Sequence, residues 1–260
     1  MNYSLILVAL AAAFFVLLLV AMQVGKLLGR GADEKAVPGA SVIEGSVFAL
    51  LGLLVAFTFS GAAQRMAERR DLLVQEVNAI GTAWLRIDMI DAKDQPRLRE
   101  QFRGYVDERI NYYRNVADLA QRDTIAARVG MLQKEIWTTS MLAARSSVPP
   151  FAASYIGAVN EMFDVATAQT VAQKVHPPVA AYAFLGFLAL VAAGLVGVNL
   201  AASKRSTRLH QVVYAVVMTA ALYIIIDFEF PRIGTIRIDQ SDALLVAQRQ
   251  SMVDPAGGAN

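Results

Sequence analysis

The chain alternates between long stretches without charge and stretches in which apolar residues recur every three or four positions among charged ones. Residues 5–22, 45–64, 179–203 and 209–226 are of the first kind. None is shorter than the roughly 18 residues a helix needs to cross the hydrocarbon of a bilayer, so the pattern predicts four membrane-spanning helices. Residues 65–175 are of the second kind. From Arg65 the helical repeat of the second block continues in charged sequence, which predicts one helix leaving the membrane without a break. Its apolar seam is Met66, Leu73, Val77, Ile80, Trp84 and Ile87, interrupted by Arg70. It should end near Asp91, in Asp-Ala-Lys-Asp-Gln-Pro, with Asp94 as the next N-cap and Pro96 in the following first turn. Leu98, Phe102, Tyr105, Tyr112, Val116 and Leu119 then mark a second face. Ile125, Val129, Leu132 and Ile136 mark a third, from about Thr124 to Ser146-Ser147. Tyr155, Val159, Met162 and Ala166 mark a fourth, after Pro149-Pro150.

The expected fold is all-α: a polytopic membrane protein with four transmembrane helices and an extramembrane four-helix bundle inserted between helices 2 and 3. The expected divisions are 1–64 for the first two transmembrane helices, 65–177 for the helical domain, 178–230 for the last two, and 231–260 for a C-terminal tail, frayed after Gln248. Small residues recur at four-residue spacing in the first and third blocks and fall on one narrow strip, three or four apart, in the second. They are Ala21, Gly25 and Gly29; Gly45, Ala49, Gly52, Ala56, Ser60 and Ala63; and Ala189, Ala193, Gly197 and Ala201. In lipid such strips let helices approach closely. Phe48, Val55 and Phe59 form a bulkier row beside the second strip.

Composition narrows the function. Of 260 residues 56% are hydrophobic and 18% charged, with a net charge of +2, so there is no basic footprint for nucleic acid. The chain has no cysteine and only two histidines, His176 and His210, each beside a membrane block, which removes disulfides, thiolate chemistry and a multi-histidine metal centre. Lys26 to Glu44 carries no phosphate-binding loop, and Glu44 suits the N-terminal end of the second helix. No nucleophile with a base, nucleotide loop or metal cluster stands at meaningful spacing, so the reading is of a non-enzyme without a cofactor.

Within the helical domain, Arg97, Arg99, Glu100, Arg103, Asp107, Glu108 and Arg109 alternate in sign, as a solvated, salt-bridged face does. Asn78 and Thr82 lie four apart beside the seam and are read as a polar helix contact that fixes register, or as the lining of an aqueous vestibule. Asp227 and Glu229, with Asp239 and Asp242 beyond, form an acidic cluster at the membrane exit. These carboxylates are hard oxygen donors, but no EF-hand loop is present. Interfacial termination with Arg232 or Arg237 as counter-ion is the reading taken, with no metal.

The run LLGLLVAF, followed by Ala63, Arg65, Glu68, Arg69 and LLVQEVNAIGTAWLR, resembles the second membrane helix and following helix of bacterial bestrophin-type proteins. Residues 56–60 and 76–83 are closer still to a bacterial group described as a bestrophin-like domain of unknown function. IDFEFPRIGTIRIDQS, residues 226–241, matches its C-terminal membrane exit. The resemblance implies a homo-oligomer, a pentamer as in bestrophins, which conducts inorganic ions, anions in the first instance. The positions that line up with the bestrophin neck are Ala49, Leu53 and Phe57, implied as pore-lining. It also implies a calcium role for the acidic exit, as in eukaryotic bestrophins. The competing reading is a non-conducting membrane scaffold or envelope sensor whose helical domain binds a partner; small-residue strips would satisfy it equally.

For orientation, the two short loops carry Lys26, Arg30, Lys35, Lys204, Arg205 and Arg208, whereas the N-terminal end has no basic residue. The positive-inside rule therefore places the loops in the cytoplasm, and the helical domain and both termini on the other face of a bacterial inner membrane. Bestrophins have their corresponding domain in the cytosol, and Arg65, Arg69 and Arg70 agree with that opposite arrangement. The charge rule is the reading taken.

Overall fold

A computed structural model describes residues 3–30, 40–115, 118–201, 208–230, 235–236 and 239–253. Among them the chain is all-helical. Its elements are α1 (Tyr3–Gly29), α2 (Ala40–Leu85), a 3-10 turn (Arg86–Met89), α3 (Gln95–Arg114), α4 (Leu119–Ser146), α5 (Pro149–Lys174), α6 (Val179–Ala201), α7 (Arg208–Glu229) and α8 (Asp239–Ser251). By its internal contacts the chain divides into two compact units, Met1–Met66 with His176–Ile236 and Ala67–Val175 with Arg237–Asn260. Lys35, Lys204, Arg205, Arg232 and Arg237 lie outside the described residues.

The first unit contains α1, the first part of α2, α6 and α7. Its closest packing is between α1 and α6. A Cβ built on Gly25 would fall on the Gly194 carbonyl, and one on Gly197 would fall on the Met22 carbonyl. One on Gly29 would stand 2.8 Å from the Ala201 Cβ and 2.9 Å from the Val198 oxygen. The strips read on the first and third apolar blocks therefore meet each other, backbone against backbone, as small residues in a bilayer allow. Leu18, Met22, Ala189, Ala192 and Ala193 are fully buried along this seam. The α2 strip behaves differently. Val47, Phe48, Leu51, Leu54 and Val55 turn toward the core of this unit, and Phe59 meets Phe228 with ring centroids 5.6 Å apart. The small residues face outward, and nothing lies within 4 Å of a Cβ built on Gly45 or Gly52.

The second unit is built from the remainder of α2 with α3, α4, α5 and α8. Leu73, Ile80, Trp84 and Ile87 from the predicted seam join Leu98, Phe102, Tyr105, Ile136, Tyr155, Val159 and Met162 in one core. The faces read from the repeat are buried at most of their described positions, with Met66, Val77 and Leu132 partly buried, because a 3.6-residue period leaves one stripe per helix to hide. The ends are less regular. α2 stops at Leu85, where a 3-10 turn takes over, and Ile90 is extended at φ −99 and ψ 171. Asp94 holds the N-cap position of α3 without a side-chain cap bond, and Pro96 lies in its first turn. α4 begins at Leu119, earlier than its apolar pattern, because Asp118 accepts a bond from the Gln121 amide at 3.2 Å and starts the helix ahead of its first buried residue, Ile125.

Residues 249–253, read in sequence as part of a frayed tail, are packed; residues 254–260 lie outside the described residues. Met252 is buried, the Arg103 Nε donates to its carbonyl at 3.0 Å, and Arg249 grips Asp107 through two bonds of 2.8 and 3.0 Å. The run DPAGGAN from Asp254 onward masks this in sequence; the anchors sit on α3, far away along the chain.

Candidate functional site

The helical repeat of about 100° per residue places Ala49, Leu53, Ala56, Phe57 and Ser60 on one side of α2, and all five are exposed. Leu53 is 51% and Phe57 65% exposed, while Leu51, two residues before Leu53, is buried. Ala49, Leu53 and Phe57 thus stand bare at four-residue intervals on a helix whose other side is committed to its own unit. Apolar side chains in this arrangement bind no ion; they can face lipid, pack against a like surface or repel water from a narrow space.

Beyond Gln64 the same helix continues in polar sequence. Asp71, Gln75, Asn78 and Thr82 are exposed. Asn78 and Thr82 were read as lying beside the buried seam, but Leu73, Ile80 and Trp84 are on the opposite side of α2 from them. No side-chain hydrogen bond of either is found among the described residues.

The arginines of this segment are mostly turned inward. Arg69 is 3% exposed and donates from Nε to the Ala172 carbonyl at 3.0 Å and from Nη2 to the Val175 carbonyl at 2.9 Å. It thereby satisfies carbonyls that the end of α5 leaves without partners. The Arg65 guanidinium binds Glu229 through Nε at 2.8 Å and through Nη2.

At the end of α7, Asp227 and Glu229 are both buried and both fully engaged. Asp227 accepts from the Thr235 amide, the Thr235 hydroxyl and the Ile236 amide, each at 2.8 Å, and so folds its own exit loop. Glu229 holds Arg65, and its other oxygen faces His176 Nδ1 at 3.5 Å, whose ring stacks on Phe230 at 4.8 Å. Among the described residues the counter-ion of the acidic exit is Arg65; Arg232 and Arg237, read as its counter-ions in sequence, lie outside them. That pairing joins residues 164 apart, which no local spacing reveals. Asp239 and Asp242 belong to α8, and their side chains lie outside the described residues. Among the described residues no group of three or more His, Asp or Glu could hold a metal ion.

A second buried polar centre lies in the helical unit and was missed in sequence. Arg109, expected on a solvated face, is 2% exposed; its Nε donates to Glu76 Oε1 at 2.6 Å and its Nη2 donates to the Tyr113 hydroxyl at 2.6 Å. The Tyr113 hydroxyl in turn donates to Glu76 Oε2. Arg99 is likewise inward, paired with Asp88 and lying 4.7 Å over the Trp84 ring. The available signal was position: Arg109 is four residues from Tyr105 and three from Tyr112, so it shares their apolar face. Burial would push the Arg109 guanidinium down, but Tyr113, Glu76 and Tyr105 around it raise it well above its ordinary value.

Tyr105 beside this centre is wholly buried, and among the described residues its hydroxyl makes no hydrogen bond of normal geometry, with the Gln133 side chain the nearest group to interact with it. Burial pushes it up to about 12. With the folded value above the unfolded one of about 10, its contribution is complete below pH 10 and is lost as pH rises through 12. Tyr105→Phe should flatten the alkaline decline in thermal stability between pH 10 and 12. At neutral pH it should leave stability unchanged or raise it by up to about 1 kcal/mol, because an orphaned hydroxyl is removed. A marked loss of melting temperature at pH 7 would show that the hydroxyl is bonded after all.

Among the described residues four helices are long and apolar enough to cross a membrane, and only a minority of the residues in each apolar stretch are buried. Fold and site together define an all-helical, multi-pass membrane protein. The family comparison agrees with that class and sharpens it: the model of the bestrophin-like domain matches residues 8–243, and the chain belongs to that family. No curated protein and no solved structure matches it.

Proposed function

We propose that the protein is an oligomeric ion channel of the bestrophin-like type, in which second helices from several copies surround a common axis. Ala49, Leu53 and Phe57 form its apolar constriction. The observation that carries this reading is the unoccupied side of α2. Gly45, Ala49, Gly52, Ala56 and Ser60 make it thin enough for a neighbouring copy to approach, yet among the described residues nothing stands within 4 Å of a Cβ at Gly45 or Gly52. Leu53 and Phe57 project from the same side and can close a narrow passage by excluding water. Family membership supports the class. Five copies, as in bestrophins, belong to the proposal, as do the bacterial inner membrane and a helical unit and termini outside the cytoplasm. A phosphatase fused after Asn260 should be active and a fluorescent protein dark.

Purified protein in planar bilayers tests conduction directly. Leu53→Ala or Phe57→Ala should raise the current several-fold by widening and wetting the constriction. If the wild type and both variants pass no current under any condition, the bare helix side serves a scaffold or sensor instead.

A further inference from the structure

We infer that the first unit holds an anionic phospholipid at the start of α7, with its phosphate at the first turn and an acyl chain along the helix. The inference stands whether or not the protein conducts. α7 carries a groove of about 590 Å³ lined by Leu209, His210, Val213, Tyr214, Val217 and Met218. From Leu209 to Met218 the helix rises about 14 Å, close to half of the roughly 30 Å of bilayer hydrocarbon and so to the depth of one leaflet. Leu209, Val213 and Val217 are 72%, 52% and 59% exposed, so no other described part of the chain covers them. On a helix that crosses a membrane, an apolar groove of this length is filled by a lipid chain.

The groups at the head of the groove select the kind of lipid. Gln211, 4% exposed, lies three residues before Tyr214 on the same flank of α7. Its Oε1 accepts from the Gln23 Nε2 of α1 at 3.4 Å, but its own Nε2 is buried with no partner among the described residues, and so is the Tyr214 hydroxyl. Buried donors need acceptors, and a phosphodiester or an ester carbonyl offers nothing else. The charge nearby has the matching sign. The contact of Gln23 with Gln211 sets the end of α1 beside the start of α7. Lys26 is one turn beyond Gln23 and Arg208 one turn before Gln211, both toward the loops, and Arg208 is exposed. In sequence the two loops at this end carry six basic residues against Asp33, Glu34 and Glu44. The Glu44 carboxylate is engaged elsewhere, accepting from the Asn199 Nδ2 of α6 at 2.9 Å. Free amides in the first turn of α7 add partial positive charge. With the loops in the cytoplasm, the groove opens to the leaflet in which anionic lipids gather at basic membrane-flanking segments.

The test is native mass spectrometry of the full-length protein after exchange into micelles holding equimolar dioleoylphosphatidylglycerol and dioleoylphosphatidylcholine. The wild type should retain the anionic lipid several-fold over the zwitterionic one. Lys26→Gln combined with Arg208→Gln should bring the two to parity. Val217→Trp, which fills the groove, should retain less of either lipid at unchanged assembly mass. Arg145→Gln, an exposed change on α4, should alter nothing. A single sharp peak for each variant on size exclusion shows that it is folded. Inorganic phosphate added without lipid should leave the thermal unfolding midpoint where it is, whereas phosphatidylglycerol should raise it. Equal retention of the two lipids by the wild type, or a preference untouched by the paired Lys26 and Arg208 changes, overturns the inference. So does a midpoint raised as far by phosphate alone, which would make this a site for a free anion. A Val217→Trp protein that keeps its lipid but changes its assembly mass overturns it too, because the groove would then be a contact between copies.

Discussion

Glu76→Ala is expected to lower the unfolding free energy by about 3–5 kcal/mol, the loss typical when one member of a buried charge pair is removed. Glu76 is fully buried and engages both of its oxygens, one with Arg109 and one with Tyr113. Without it the Arg109 guanidinium keeps the Tyr113 hydroxyl and the faces of Tyr112 and Tyr113, at 5.4 and 4.9 Å, but has no carboxylate in a medium that solvates charge poorly. Replacing both partners should be milder than replacing either: Glu76→Leu combined with Arg109→Leu removes the stranded charge along with the pair, so the two single effects should be strongly non-additive. Trp84 in the same core, 5% exposed, offers intrinsic fluorescence as the unfolding signal. Additive single effects, or a loss under about 1 kcal/mol for Glu76→Ala, would mean that the three side chains do not act as one unit.

This centre also shows where sequence reasoning reaches its limit. Periodicity identified the seam through Leu73, Ile80 and Trp84 and the faces through Phe102, Ile136 and Val159, since each is a property of one helix and its own repeat. It did not find Glu76 with Arg109 or Arg65 with Glu229, because those contacts join separate elements and the residue types alone favour solvent. The run of alternating charges on α3 was legible as a charged helix, yet Arg99 and Arg109 share the run and are buried. Alternation in sign says nothing about which members face in. Helix ends followed the same division. Pro149, at the start of α5, was visible, while the start of α4 was set by one capping bond from Asp118 and not by the onset of apolar residues.

The small-residue strips divide in the same way. Those of α1 and α6 were legible and found each other. That of α2 was equally legible, but a repeat reveals a face and not its occupant. Of the candidate pore positions, Leu53 and Phe57 could be placed on that face from sequence, whereas their exposure follows only from seeing that Phe48, Leu51 and Val55 hold the opposite side.

Two glycine substitutions separate the packed strip from the bare one. Gly197→Ala should destabilise the protein by about 3 kcal/mol or more, at the upper end for overpacking, because the added methyl falls on the Met22 carbonyl and backbone cannot swing aside as a side chain can. The same substitution gains up to about 1 kcal/mol of helix propensity, so the contact has to outweigh that gain before any loss is seen. Gly52→Ala receives the same propensity gain and meets nothing within 4 Å. Its chain should therefore be as stable as the wild type, or slightly more so, when unfolding is followed in detergent. The informative quantity for Gly52→Ala is assembly mass. If copies approach through this side of α2, a methyl at the strip should shift detergent-solubilised protein toward smaller species while the fold survives, and Gly52→Leu should do so more strongly. A Gly197→Ala protein as stable as the wild type would contradict the α1–α6 crossing. An assembly that is indifferent to Gly52→Leu would place the contact between copies on some other face.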